Sequence, residues 1–262
     1  MTGNVNNRNL VQEKQEYKFV FLVDNSGSMN GEKMTLALNI LVVMLESLKK
    51  MEFETAVVKF GGEESQVPLK HFDDRMDQSR GQFILEAFDS SEKTLILDAI
   101  KFVTTTSELY GSKKRSNEHR FLILITDGIC TQTSTAEYQK WLRKAGEDLK
   151  FLVLTTLPKQ SEKFYQSNYI KAEALLDQIA RHNWHKLEPD RDFMETMKDI
   201  ATLIDAHLRV IAEEKSEEAT HERFAPFKVR NFFYVFVLLI ICLLYTSPSP
   251  RDATLSRMPS SA

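Results

Sequence analysis

The sequence predicts an α/β fold of the Rossmann-like, doubly wound kind, with a mostly parallel central sheet flanked by helices. Three observations predict it. Short apolar runs alternate with helix-like stretches from Tyr17 to Ala212, an order that implies a parallel sheet covered by helices. The run Phe121-Leu122-Ile123-Leu124-Ile125 is apolar at every position, as central strands buried on both faces are. The polar cluster Asp24-Asn25-Ser26-Gly27-Ser28-Met29 directly follows the apolar run Phe19–Val23, and open α/β sheets bind ligands just outside the carboxyl ends of their strands.

Taken in order, Tyr17–Val23 is the first strand. Lys33–Lys50 follows as a helix, with Met34, Leu38, Leu41, Leu45 and Leu48 at helical spacing. Val42, Val43 and Met44 add apolar residues on other faces, so this helix is expected to be buried nearly all round. Thr55–Phe60 is a second strand, ended by Gly61-Gly62. Ser65–Lys70 reads as a short strand whose Pro68 suits a sheet edge. Thr94–Leu109 is helical, with Ile96, Ile100 and Val103 in register, and Arg120–Thr126 is the fourth strand. Ser134 and Glu137 have capping-box spacing and open a helix over Thr135–Gly146. Lys150–Leu157 is a buried strand, Lys171–His182 a helix, His185–Leu187 a short strand and Phe193–Ala212 a long amphipathic helix. No internal repeat is present.

The 262 residues divide into a polar leader over 1–16, one domain over 17–214, a charged linker with an apolar segment over 215–241, and a tail over 242–262. Within the tail, Cys242–Asp252 and Ser256–Ala262 resemble the translation of a transposase-type sequencing adapter, with Ala253–Leu255 in the place of a variable index. On that reading natural sequence stops near Ile241. The apolar run Phe232–Ile241, at ~1.5 Å per residue, would cross about half of a ~30 Å hydrocarbon core. Arg230 stands before it as a positive flank. A truncated membrane helix, a buried element and translated non-coding sequence all remain open for it.

The net charge of −3 demands no nucleic-acid or anionic-membrane partner. Without the tail only Cys130 is left, so no internal disulfide can form, which fits a reducing compartment. The stretch Met1–Lys18 lacks the apolar core of a signal peptide. An intracellular protein, in cytoplasm or nucleus, is the expectation.

Asp24, Ser26 and Ser28 form a D-x-S-x-S pattern at the first strand's end. Hard oxygen donors of this kind suit Mg²⁺ or Mn²⁺. Thr94, after Ser90-Ser91-Glu92-Lys93, and Asp127, within Thr126-Asp127-Gly128, complete a five-residue constellation. The three segments meet at one sheet edge if strands one and four are neighbours.

On these residues, over Tyr17–Ala212, the chain resembles a von Willebrand factor A domain carrying a metal-ion-dependent adhesion site, or MIDAS. The resemblance implies that Ser26 and Ser28 give hydroxyl oxygens directly to Mg²⁺ and that Thr94 does so in a ligand-ready state. It implies that Asp24 and Asp127 hold the metal through waters, or directly in a resting state. A metal with neutral first ligands is left to attract a carboxylate from outside, so the implied partner is a protein supplying an Asp or Glu. Within the family the flavour is midasin-like, resembling the metal-site domain of the giant ring ATPase of ribosome assembly. Val58–Gly61, Phe83–Phe88 before Lys93-Thr94, and Ile125–Cys130 carry that likeness. Neither an ATPase ring nor a long acidic segment accompanies them in this sequence.

Two other readings differ in class. One is a membrane-anchored adhesion or channel-associated domain, which depends on the run Phe232–Ile241 continuing. The other is a Mg²⁺-dependent phosphoryl-transfer enzyme. An aspartyl nucleophile of that kind would have a second Asp where Ser26 stands, so no enzyme is expected and no catalytic residue is assigned. Lys113-Lys114-Arg115 reads as a solvated loop. His71, His119, His182, His185, His207 and His221 contain no close ligand pair. Cys130 reads as a small buried residue, and Met194 and Met197 as core.

Overall fold

The computed structural model describes residues 15–62, 65–91, 93–130, 135–156, 166–181, 183–188 and 190–218. Among the described residues, six strands form one sheet in the order β3-β2-β1-β4-β5-β6. They are β1 (Glu16–Asp24), β2 (Glu54–Phe60), β3 (Val67–Lys70), β4 (Glu118–Thr126), β5 (Leu149–Thr155) and β6 (Trp184–Lys186). All neighbours pair in parallel except β2 and β3, which are antiparallel with a register irregularity between Val57 and Val58. Strands one and four are therefore adjacent, with Val23 beside Ile125. The chain winds outward from β1 to β2 and β3, then returns to β4 on the other side. That makes the β1/β4 boundary the point where strand order reverses, the place such sheets hold ligands.

Alternating side chains of each strand feed two cores. Phe19, Phe21 and Val23 of β1, with Phe121, Ile123 and Ile125 of β4, pack against α1 (Glu32–Lys50) and α6 (Phe193–Glu218). Val20, Leu22, Leu122 and Leu124 pack on the other face, against α3 (Ile96–Thr105), α4 (Ala136–Asp148) and α5 (Gln166–Ala180). Phe19 and Phe121 stack across the strand pair at 4.6 Å. A buried ion pair, Arg120 Nε to Glu118 Oε1 at 2.7 Å, lies near the start of β4. Arg120 also donates to the carbonyls of Tyr110 and Ser112, and the Tyr110 hydroxyl donates to the carbonyls of Lys18 and Phe121. These bonds join β1, β4 and the turn after α3 at the end of the sheet remote from the polar cluster.

Several sequence expectations change in detail. Helix α1 is not buried all round: Glu32, Thr35, Asn39, Val42 and Lys49 form a solvent stripe at helical spacing. A helix over Gln78–Glu86, α2, went unforeseen because Ile84 is its only buried residue. Helix α3 begins at Ile96, so Thr94 precedes it in a loop. The cap of α4 is Thr135, whose side chain accepts from Tyr138 N–H, and the helix runs from Ala136. Ser134 lies outside the described residues, as do Leu157, His182, His221, the leader over 1–14, and everything from 219 onward, including Phe232–Ile241 and the adapter-like tail. Among the described residues no helix is long and apolar enough to cross a membrane.

Candidate metal centre

The C-terminal ends of β1 and β4 set the polar residues. Asp24 is the last residue of β1 and is fully buried. Its Oδ1 accepts from Ser26 N–H at 2.9 Å, which curls the chain into the turn. Its Oδ2 accepts from the Thr126 hydroxyl at 2.5 Å. The same Thr126 oxygen accepts from Gly128 N–H at 3.0 Å, so one hydroxyl ties β1 to the turn after β4. Gly128 adopts φ 74°, a left-handed conformation that costs glycine little. A Cβ there would lie 3.2 Å from Leu176 Cδ1 and 3.3 Å from Ala172 Cβ, so α5 seats directly on this turn.

Asp127 is fully buried as well. Its Oδ1 accepts from Ile129 N–H at 3.1 Å, and its Oδ2 takes the Lys33 ammonium at 3.1 Å. Lys33 also donates to the Ser28 carbonyl at 3.1 Å. The Ser26 and Ser28 hydroxyl oxygens stand 3.0 Å apart, Ser26 buried and Ser28 exposed. The cluster thus has a buried floor and one rim open to solvent.

The third arm is built by Asn25. Its side-chain oxygen accepts from the N–H groups of Asp89 and Ser90, at 3.0 and 2.9 Å, and its amide donates to Asp89 Oδ1 at 2.7 Å. This last bond is the main reason the Asp89 carboxyl is held below its ordinary range. The segment clamped by Asn25 leads into Thr94, which is buried. Leu95 N–H donates to the Gly61 carbonyl at 3.0 Å, and the Cys130 thiol donates to the Thr94 carbonyl at 3.4 Å. Thr94 is thereby tied to the ends of β2 and of the β4 turn. Cys130 is half-buried, not buried as its size suggested.

All five residues singled out in the sequence, Asp24, Ser26, Ser28, Thr94 and Asp127, therefore sit at one end of the sheet. Sequence reasoning missed three supporting residues. Asn25 and Thr126 lie inside the quoted motifs, and their capacity to bond across segments was the available signal. Lys33 offered none beyond its nearness to Ser28.

Electrostatics test whether the cluster suits a cation. Burial pushes the Asp24 carboxyl up from 3.8 to about 7. The neighbouring Asp127 charge pushes the same way, while hydrogen bonds from Thr126 and Ser26 pull back. Two buried carboxylates close enough to repel favour a positive charge beside them, and the Lys33 ammonium already pairs with one of them, Asp127. The donors are all oxygens, most of them neutral, which suits a hard ion. Among the described residues no three His, Cys, Asp or Glu side chains gather in a metal-holding group, so any cation here would lean on the serine and threonine hydroxyls beside the two aspartates.

Comparison with known proteins fits this architecture. A family model described as the von Willebrand factor type A domain matches residues 19–181. The conserved hypothetical protein BatB from Bacteroides thetaiotaomicron is similar in fold, with TM-score 0.52 and 16% identity over 72% of this chain and 98% of that one. The pilus adhesin SpaC from Lactobacillus rhamnosus GG gives TM-score 0.51 and 13% identity, over 68% of this chain and 28% of that one. Proximal thread matrix protein 1 from the mussel byssus, solved with a zinc-occupied MIDAS motif, gives 0.50 and 15%, over 67% and 44%. At these identities the likenesses show the fold. No curated protein matched in sequence.

Proposed function

The chain belongs to the von Willebrand factor type A family, and on that premise we propose that it is a Mg²⁺-dependent protein-interaction module that engages an Asp or Glu carboxylate of a partner. Domains of this family mediate protein–protein contacts and are typically not enzymes. One observation carries the metal reading. Two fully buried carboxylates, Asp24 and Asp127, stand at the adjoining C-terminal ends of β1 and β4, and the turn that follows β1 carries a pair of serine hydroxyls 3.0 Å apart. Ser26, Ser28 and Thr94 would offer hydroxyl oxygens there, and Asp24 and Asp127 would offer carboxylates, directly or through water. Mg²⁺ or Mn²⁺ bound by such a set would supply an oxygen-seeking position open to a partner carboxylate. Exposed Ser28 marks the side from which that carboxylate would enter.

The context we propose is intracellular and midasin-like, an assembly factor or ATPase-associated adaptor. The short stretches Val58–Gly61, Phe83–Phe88 and Ile125–Cys130 support it. The apolar run Phe232–Ile241 favours a second reading, a membrane-anchored domain using the same site. Ser26, standing where a second Asp would be, argues against an aspartyl-nucleophile enzyme.

The test is calorimetric titration of the full chain with Mn²⁺ and Mg²⁺, beside the paired variant S26A/S28A. Saturable uptake, weakened at least ~tenfold in the variant, is expected by analogy with other metal-shell deletions. Partner capture should persist in Mg²⁺, vanish in EDTA and vanish in Thr94→Ala. No cation uptake, or capture indifferent to EDTA, would overturn the proposal.

A further inference from the structure

We infer that Lys33 is a tethered cation that competes with the divalent ion for Asp127, and so sets how readily the site loads. This deepens the metal reading above and rests on it. The ammonium bridges two arms of the site, lying 3.1 Å from Asp127 Oδ2 and 3.1 Å from the Ser28 carbonyl. Asp127 Oδ1 already accepts from Ile129 N–H, so Oδ2 is the oxygen left for a cation. A metal approaching Oδ2 must displace the ammonium or share the oxygen with it, and two cations on one carboxylate repel.

The place of Lys33 in the fold supports exchange over permanent bracing. It lies in the first turn of α1, where the helix dipole disfavours a positive side chain. The buried Asp127 carboxylate is what offsets that disadvantage. Asp127 is enclosed and cannot follow the lysine outward, whereas the Lys33 side chain is 27% exposed on a flexible stem. With the ammonium turned to solvent, Oδ2 is released to the incoming ion. The metal-free site is thus already partly neutralised, and loading replaces an internal cation with an external one.

The experiment is Mn²⁺ titration by calorimetry, at fixed ionic strength, on the full chain and on K33M, K33Q and K33R. Both neutral variants should bind Mn²⁺ about tenfold tighter than wild type, the size expected for relieving one nearby like charge at a partly solvated site. K33R should stay within about threefold, because it keeps the charge. Purification in Mn²⁺ followed by dialysis guards against a variant that folds poorly without metal, and K33Q keeps a hydrogen-bond donor for Asp127. Wild-type uptake with K33M and K33Q no tighter would overturn the role of Lys33 alone. No uptake by any of the four proteins would overturn the metal reading itself.

Discussion

Replacing Asp24 by Asn should stabilise the metal-free protein at alkaline pH and leave it unchanged in mild acid. Asp24 is fully buried, and its carboxyl is pushed from 3.8 to about 7, first by burial and then by Asp127. The folded state therefore holds a proton that the unfolded chain releases near pH 4. Where the native state binds more protons, stability falls as pH rises. The contribution is complete below pH 4 and is lost as pH climbs through 7. Between pH 5 and pH 8 the loss amounts to about 3 kcal/mol, at ~1.4 kcal/mol per pH unit up to the folded-state value. Asn removes the ionisation, and its amide oxygen can still accept from Ser26 N–H. Urea denaturation in EDTA at both pH values is the assay. Wild type should lose about 3 kcal/mol on going to pH 8, equivalent to roughly 6–12 °C in Tm for a domain of this size. D24N should lose almost none, and Mg²⁺ should offset the loss in wild type while changing D24N little. A flat wild-type profile, or D24N equally destabilised at both pH values, would refute the reasoning.

Two further substitutions probe the scaffold. Arg120→Ala leaves the buried Glu118 carboxylate without its 2.7 Å partner and frees the carbonyls of Tyr110 and Ser112; it should cost about 3–5 kcal/mol in urea melts, and a loss under 1 kcal/mol would contradict the buried-pair account. Gly128→Ala forces an L side chain into φ 74° and sets its Cβ against Leu176 and Ala172. It should cost about 1–3 kcal/mol and weaken Mn²⁺ binding, since it shifts the residue beside Asp127; unaltered binding by calorimetry would show that α5 does not position the turn.

The layered sheet was legible because its central strands are apolar on both faces, a pattern few other elements produce. Asp24, Ser26, Ser28 and Asp127 were legible for a related reason: each lies at or just past the end of such a strand, so finding the strands located the cluster. Thr94 was found by residue type, but its place ahead of α3 was misjudged because the helical pattern beginning at Ile96 extends smoothly backward through Leu95. Helix α2 was invisible because a single buried residue makes no period. The solvent stripe of α1 was hidden because one of its members is Val42, an apolar residue at 36% exposure. Lys33 was unreadable for a different reason. Its partner lies 94 positions away, and a lysine beside a glutamate at a helix start looks like any surface charge.

The margins of the sheet bear on how this protein can associate. One margin is four residues long, carries a proline with no N–H to offer, and pairs irregularly with its neighbour. The opposite margin is only three residues long. Among the described residues, a visiting polypeptide seeking to lengthen the ladder finds little backbone to grip at either side. Strand-by-strand polymerisation along those two margins is discouraged.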